Sequence, residues 1–226
     1  MDEQPKKKRK SVYFTNEQAL NNYDTIFTNI YEQPIIQQEM AEYGYDDVKI
    51  KEGKTLADNA RKTYMDNKRE TAESIAARKI LNNVATDLYE VFADHRKKTK
   101  VTLRKDPAAI KQLGINGREP ISFASRIEQL ENFYVQLENF PEIAKKLEMF
   151  KITPEDLASV KPMIANYRAA RAKYLLEKGE SQDATKIKDA AFKATDEWLS
   201  DFFAVARIAL EDHPQLLEVF TKIVRS

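Results

Sequence analysis

The sequence predicts an all-α protein with an internal duplication at an offset of 107 residues, forming two tandem antiparallel four-helix-bundle-like repeats. Three observations lead there. Lys, Glu, Ala, Leu, Gln and Arg, all strong helix formers, dominate the composition. Only five Gly and eight Pro occur in 226 residues, too few turn residues for an all-β chain. Apolar residues recur at spacings of three and four along most of the sequence, the period of a half-buried helix.

The first helix is predicted over about Asn16 to Glu32, with Leu20, Tyr23, Phe27 and Ile30 on one stripe. Pro34 opens a short second helix, because proline is tolerated in a first turn. Gly44 ends it as a C′ residue. A third helix starts at Asp46-Asp47, whose carboxylates suit an N-terminus, and carries Ile50, Gly53, Ala57, Ala60 and Tyr64. A fourth is predicted from about Thr71 to Lys105, and Pro107 opens a closing turn. Leu113 to Pro120, LGINGREP, holds two of the five glycines and reads as a linker. The second half begins its third helix at TPED, Thr153–Asp156: a cap, a proline and two acids. Leu157, Val160, Ile164, Tyr167, Arg171 and Tyr174 follow at helical spacing, and Pro162 is a candidate kink. Gly179 is predicted to break the chain before the last long helix, which carries Ile187, Ala191, Ala194, Trp198, Phe202, Val205 and Ala209.

The halves align without a gap. At a shift of 107, Pro34 meets Pro141, Pro107 meets Pro214, Asn59 meets Asn166 and Arg61 meets Arg168. Apolar positions match as well: Tyr23 with Leu130, Phe27 with Tyr134, Ile30 with Leu137, Met40 with Leu147, Val91 with Trp198. The domain reading is therefore a basic disordered tail over 1–14, one repeat over 15–113, a linker over 114–121 and a second repeat over 122–226.

The C-terminal stretch GESQDATKIKDAAFKATDEWLSDFFAVARIALEDHPQLLEVF carries a G-E-x-Q-x-A-T start at Gly179–Thr185, a D-x-W-L centre at Asp196–Leu199 and an A-R-I-A-L-x-D-x-P-Q-L-L end at Ala206–Leu217. In these it resembles a family of uncharacterised bacterial helical proteins. The resemblance covers roughly residues 179–226. It implies a helical fold and a bacterial source. The family has no assigned activity, so no functional residues carry over.

The sequence offers no catalytic constellation. Without cysteine, disulfides, thiolate metal sites and cysteine nucleophiles are excluded. A di-iron bundle needs Glu-x-x-His on two helices. The only histidines, His95 and His213, follow Phe92 and Leu210 at that spacing, so no metal site is expected. His213 in EDHP reads as a helix-end residue, and His95 as an interfacial or exposed one. Phosphate loops, dinucleotide fingerprints and nucleophile elbows are absent, so neither enzyme activity nor a cofactor is expected. Asn59, Arg61, Asn166 and Arg168 read as cross-helix hydrogen-bonding residues, and a closed pocket around Asn166, Tyr167 and Arg168 would instead indicate a carrier.

Two basic runs stand out from a near-neutral body. Net charge is +1, but residues 1–10 hold five basic and two acidic groups, leaving 32 basic and 34 acidic groups for the rest. One run is Lys6, Lys7, Lys8, Arg9 and Lys10; the other is Arg96, Lys97, Lys98, Lys100, Arg104 and Lys105. The first is a solubilising tail, or a weak match to a nuclear address. The second suits the negative end of a helix dipole. Together they would form a polyanion-binding surface that neutralises phosphates without reading bases. No apolar run approaches the ~20 residues of a membrane span. The expected role is a non-catalytic, cytoplasmic structural or protein-interaction module, with a protein partner or a second copy bound. Non-specific nucleic-acid association through the basic runs is the alternative. An exposed apolar patch near Ile208 or Phe220 would favour a protein partner.

Overall fold

The computed structural model describes residues 14–221. Among the described residues are eight α-helices, one 3-10 turn and no strand. The helices are α1 (Asn16–Glu32), α2 (Pro34–Glu42), α3 (Asp47–Thr102), α4 (Pro107–Gln112), α5 (Phe123–Asn139), α6 (Pro141–Leu147), α7 (Pro154–Ala209) and α8 (Pro214–Thr221); the 3-10 turn, Glu148–Phe150, follows α6. The tail with Lys6–Lys10 and its expected disorder lie outside the described residues.

Most helix starts are set by local chemistry. Thr15 closes a capping box on α1: its hydroxyl accepts from Gln18 N at 3.2 Å while Thr15 N donates to Gln18 Oε1 at 2.9 Å. The Asp46 carboxylate accepts from Lys49 N at 2.9 Å, and Thr153 and Asp156 form a second reciprocal cap at the start of α7. Prolines 34, 107, 141, 154 and 214 occupy first positions of their helices.

The expected division of the long helices is corrected. The third and fourth helices of the first half are one 56-residue helix, α3, and the chain continues through Thr71 without a break. Gly179 likewise sits inside α7, also 56 residues long. The residues around Thr71, MDNKRETAES, contain neither Gly nor Pro, so nothing interrupts the i→i+4 ladder. A lone interior glycine costs only about 1 kcal/mol relative to alanine, too little to end a packed helix. Each half therefore presents one long helix flanked by three short ones, instead of a four-helix up-down bundle.

The chain forms two compact units, which cut across the sequence halves. One comprises the described residues up to Thr71 and from Glu180 onward; the other is Ala72–Gly179. In the first, Leu20, Tyr23, Phe27 and Ile30 of α1 meet Ile36 and Met40 of α2, Ile50 and Ala60 of α3, and Trp198, Leu199 and Phe202 of α7. Trp198 stacks on Phe202 with centroids 5.4 Å apart and lies 5.6 Å from both Phe27 and Tyr45. In the second, Leu130, Phe133, Tyr134 and Leu137 of α5 meet Ile143 and Leu147 of α6, Val160 and Tyr167 of α7, and Leu88 and Phe92 of α3. No helix among the described residues is long and apolar enough to cross a membrane.

Candidate docking groove

The largest concavity lies within the second unit, where α5, α6 and the first turns of α7 leave a groove of about 660 Å³ open to solvent. Its floor is apolar: Val135 and Tyr134 from α5, Ala144 from α6, and Leu157, Val160 and Ile164 from α7. Val135 is 53% exposed, unusual for an aliphatic side chain with apolar neighbours on three elements. Two ion pairs cross the rim. Arg168 Nε donates to Glu131 Oε1 at 2.9 Å, and Lys161 Nζ lies 2.9 Å from Glu138 Oε1. Both pairs are solvent-exposed, so each is worth about 1 kcal/mol or less. They set the rim chemistry more than the stability.

Beneath the floor sits the one buried histidine. His95 is 7% exposed, and its Nδ1 lies 2.9 Å from the hydroxyl of Tyr134, which borders the groove. The expectation of an interfacial or exposed His95 is corrected: the ring fills a core position, and its polar nitrogen is satisfied by the phenol. Burial holds its pKa below the ordinary imidazole value, against smaller opposing effects of Asp94 and Asp156. Burial also pushes the Tyr134 phenol well above its usual range.

The α5–α6 turn bounding the groove has a close counterpart in the first unit. In the α1–α2 turn, Gln33 (φ −115°, ψ 93°) precedes Pro34 and its carbonyl accepts from Ile36 N and Gln37 N, at 3.0 and 3.4 Å. In the α5–α6 turn, Phe140 (φ −124°, ψ 74°) precedes Pro141 and its carbonyl accepts from Ile143 N and Ala144 N, at 2.9 and 3.3 Å. The two turns differ in one side chain. Gln37 Nε2 donates to the carbonyls of Ile30 and Tyr31, at 3.0 and 3.1 Å, satisfying the end of α1. Ala144, in the matching place, has no donor to offer Leu137 and Glu138.

The basic candidates divide sharply. Arg96 Nη2 donates to the carbonyls of Ile115 at 3.4 Å and Gly117 at 3.0 Å, and Lys100 Nζ donates to the same Gly117 carbonyl at 2.8 Å. These two cations converge on the 114–121 loop and hold it. Burial, with the Arg96 charge beside it, lowers the Lys100 pKa. Lys98 pairs with Asp94 at 2.6 Å. Lys97, Arg104 and Lys105 face solvent. The site therefore brings Arg96 and Lys100 together on a loop and leaves three exposed cations.

Other candidates resolve simply. Arg61 pairs with Asp24, as Arg168 pairs with Glu131, while Asn59 and Asn166 are exposed. Of the three residues whose enclosure would indicate a carrier, Arg168 borders the groove and Tyr167 is in the core. His213 sits in the turn before α8, its backbone bonded to Leu210 and Leu216. Ile208 is 60% exposed, whereas the side chain of Phe220 lies outside the described residues. Sequence reasoning missed the groove entirely. Its one signal was Val135, an aliphatic residue off the Leu130–Tyr134–Leu137 stripe.

Comparison with protein-family models, curated proteins and solved structures gives no match.

Proposed function

We propose that the protein is a duplicated, non-catalytic helical module of the cytoplasm that binds another protein through the groove of its second unit. The observation that carries this reading is the groove itself: an apolar floor about one helix wide between rims of paired charges. An amphipathic helix lays its apolar face into such a surface. Its volume also suits a small ligand, but the floor lacks the convergent buried polar groups that orient one. Catalysis is not part of the reading, because His95 is committed to Tyr134 and His213 to a turn.

Several observations support the duplication, with repeats over 15–113 and 122–226 joined by 114–121. Helix starts at 16 and 123, 34 and 141, 47 and 154, and 107 and 214 all differ by 107. Gly44 and Lys151, also 107 apart, both adopt left-handed backbone, at φ 87° and 57°. The Arg61–Asp24 and Arg168–Glu131 pairs correspond residue for residue. On this reading each compact unit takes part of its core from each repeat.

A photo-crosslinking residue placed at Val135 tests the docking reading against the same residue placed at exposed Asn82 of the same unit. The expected result is a discrete adduct, with a second protein or a second copy, from position 135 alone and lost on Ile164→Asp. Equal labelling from both positions, or none, overturns it. The second reading, non-specific nucleic-acid association through Lys6–Lys10 and the 96–105 segment, draws on exposed Lys97, Arg104 and Lys105. It predicts duplex binding that weakens steeply with salt and drops when residues 1–10 are removed. Anisotropy with labelled DNA and RNA measures both.

A further inference from the structure

We propose that the groove selects a helical segment of another protein that carries an arginine, and that this arginine caps the C-terminal carbonyls of α5. The proposal rests on the docking reading above and adds the chemistry of the occupant.

A helix ends with carbonyls that have no N–H four residues on, and buried ones need another donor. For Leu137 the shortfall is built in, because residue 141 is proline and has no N–H to give. Phe140 N, the nearest other donor, goes to Gln136 O. Ile30 of α1 faces the same problem with Pro34, and there the chain solves it internally with Gln37. Leu137 and Glu138 line the groove, so the missing donor must enter through it. Among the described residues none does. An occupant that supplies it replaces Gln37 in function.

The charges around this point favour a cation over a neutral amide. The positive end of α7 is already complemented by the Asp156 carboxylate, which accepts from Thr153 N at 2.8 Å. Glu131 and Glu138 are held by Arg168 and Lys161, and Lys145 and Glu148 on the rim offset each other. The partial negative charge at the end of α5 is left uncompensated. A planar guanidinium brings several N–H donors to two adjacent carbonyls at once. The aliphatic stem of the arginine would lie on Val135 and Ala144.

The test uses the full chain and a labelled amphipathic leucine-faced helical peptide, with one guest position scanned along the edge of its apolar face. The guest is Arg, Gln, norleucine or Glu, and binding is read by anisotropy. At the productive position the Arg peptide is expected to bind about tenfold tighter than the norleucine peptide, with Gln between them and Glu weakest. Ala144→Gln, which installs the donor found at Gln37, is expected to abolish the preference while melting no lower than the parent. In carbon-detected NMR, the Leu137 carbonyl resonance is expected to shift with the Arg peptide and stay with norleucine; this reading needs no variant. Equal affinities for Arg and norleucine, with binding still blocked by Val135→Asp, overturn the arginine proposal and leave the docking reading standing. Binding by no peptide overturns both.

Discussion

Gly53 and Trp198 form a size-matched pair whose disruption has a calculable sign. Gly53 lies inside α3, where replacement by alanine would ordinarily stabilise a helix by about 1 kcal/mol. Here a Cβ would come within 2.5 Å of Cε2, Cζ2 and Cη2 of the indole of Trp198. The indole cannot yield, being stacked on Phe202 and contacted by Phe27 and Tyr45. Overpacking of this kind costs ~1–3 kcal/mol, so Gly53→Ala is expected to be net destabilising by about 1–2 kcal/mol. Trp198→Val should cost about 3–5 kcal/mol through the cavity it leaves. The positions 107 residues on from Gly53 and back from Trp198 hold Val160 and Val91, so valine at both sites is a combination the fold already uses. The double variant Gly53→Val with Trp198→Val should therefore be less destabilised than the sum of the singles by more than ~1 kcal/mol, beyond the ~0.5 kcal/mol scatter of independent sites. Urea melts followed by far-UV circular dichroism give the cycle. Trp198 is the only tryptophan, so its fluorescence reports the Gly53→Ala variant independently. A stabilised Gly53→Ala protein, or an additive cycle, would refute the packing account.

The folded pKa of His95 is lowered, so the unfolded chain takes up its proton first. The stability owed to neutral His95 is complete above the ordinary value of 6.5 and is lost as pH falls through the folded value. Melts across this window should show the loss, and His95→Phe with Tyr134→Phe, the residues found at positions 202 and 27, should flatten it. Lys151→Gly should stabilise the second unit by ~0.5–1 kcal/mol by relieving the left-handed backbone, as read in a thermal melt. Arg168→Ala should change stability by less than about 1 kcal/mol, because its pair with Glu131 is exposed. Arg96→Ala removes two donors from the 114–121 loop and should speed its limited proteolysis, while Lys97→Ala leaves the cleavage rate unchanged.

The helix beginnings were legible because each is written locally. Thr15, Asp46 and Thr153 are caps within three residues of the N–H groups they satisfy, and prolines mark the first turns. What the sequence could not reveal depends on partners distant in the chain. The continuity of α3 through Thr71 is fixed by packing along its length, and the weak signal at Gly179 misled for the same reason. His95 looked like one more member of a basic run, yet Tyr134, 39 residues away, makes it a core residue. Gly53 was legible as a member of an apolar stripe, but not as the recess for an indole 145 residues later in the chain. The groove was invisible because it arises from an absence: Ala144 in place of a side chain able to close the turn.

That absence gains meaning only beside the other turn of the same chain. A shallow groove on a helical protein is ordinarily explained by chance packing of surface side chains. Here the backbone around the groove matches that of the α1–α2 turn, down to the paired bonds onto one carbonyl, so the backbone does not account for the opening. The difference lies in the side chains placed on it. Gln37 became Ala144, Lys51 became Ala158, and Asp58, which engages Lys54, became Ala165. Each change shortens or discharges a residue bordering the groove. Freed of an acid one turn along its own helix, Lys161 reaches across to Glu138 and forms a rim instead of covering the floor. If the halves descend from one ancestral segment, divergence has opened one copy at the point where the other is sealed. Stability alone favours sealing, since a capped carbonyl and covered apolar surface both lower the free energy of the folded state. An opening retained against that preference is what a binding site for a second protein requires.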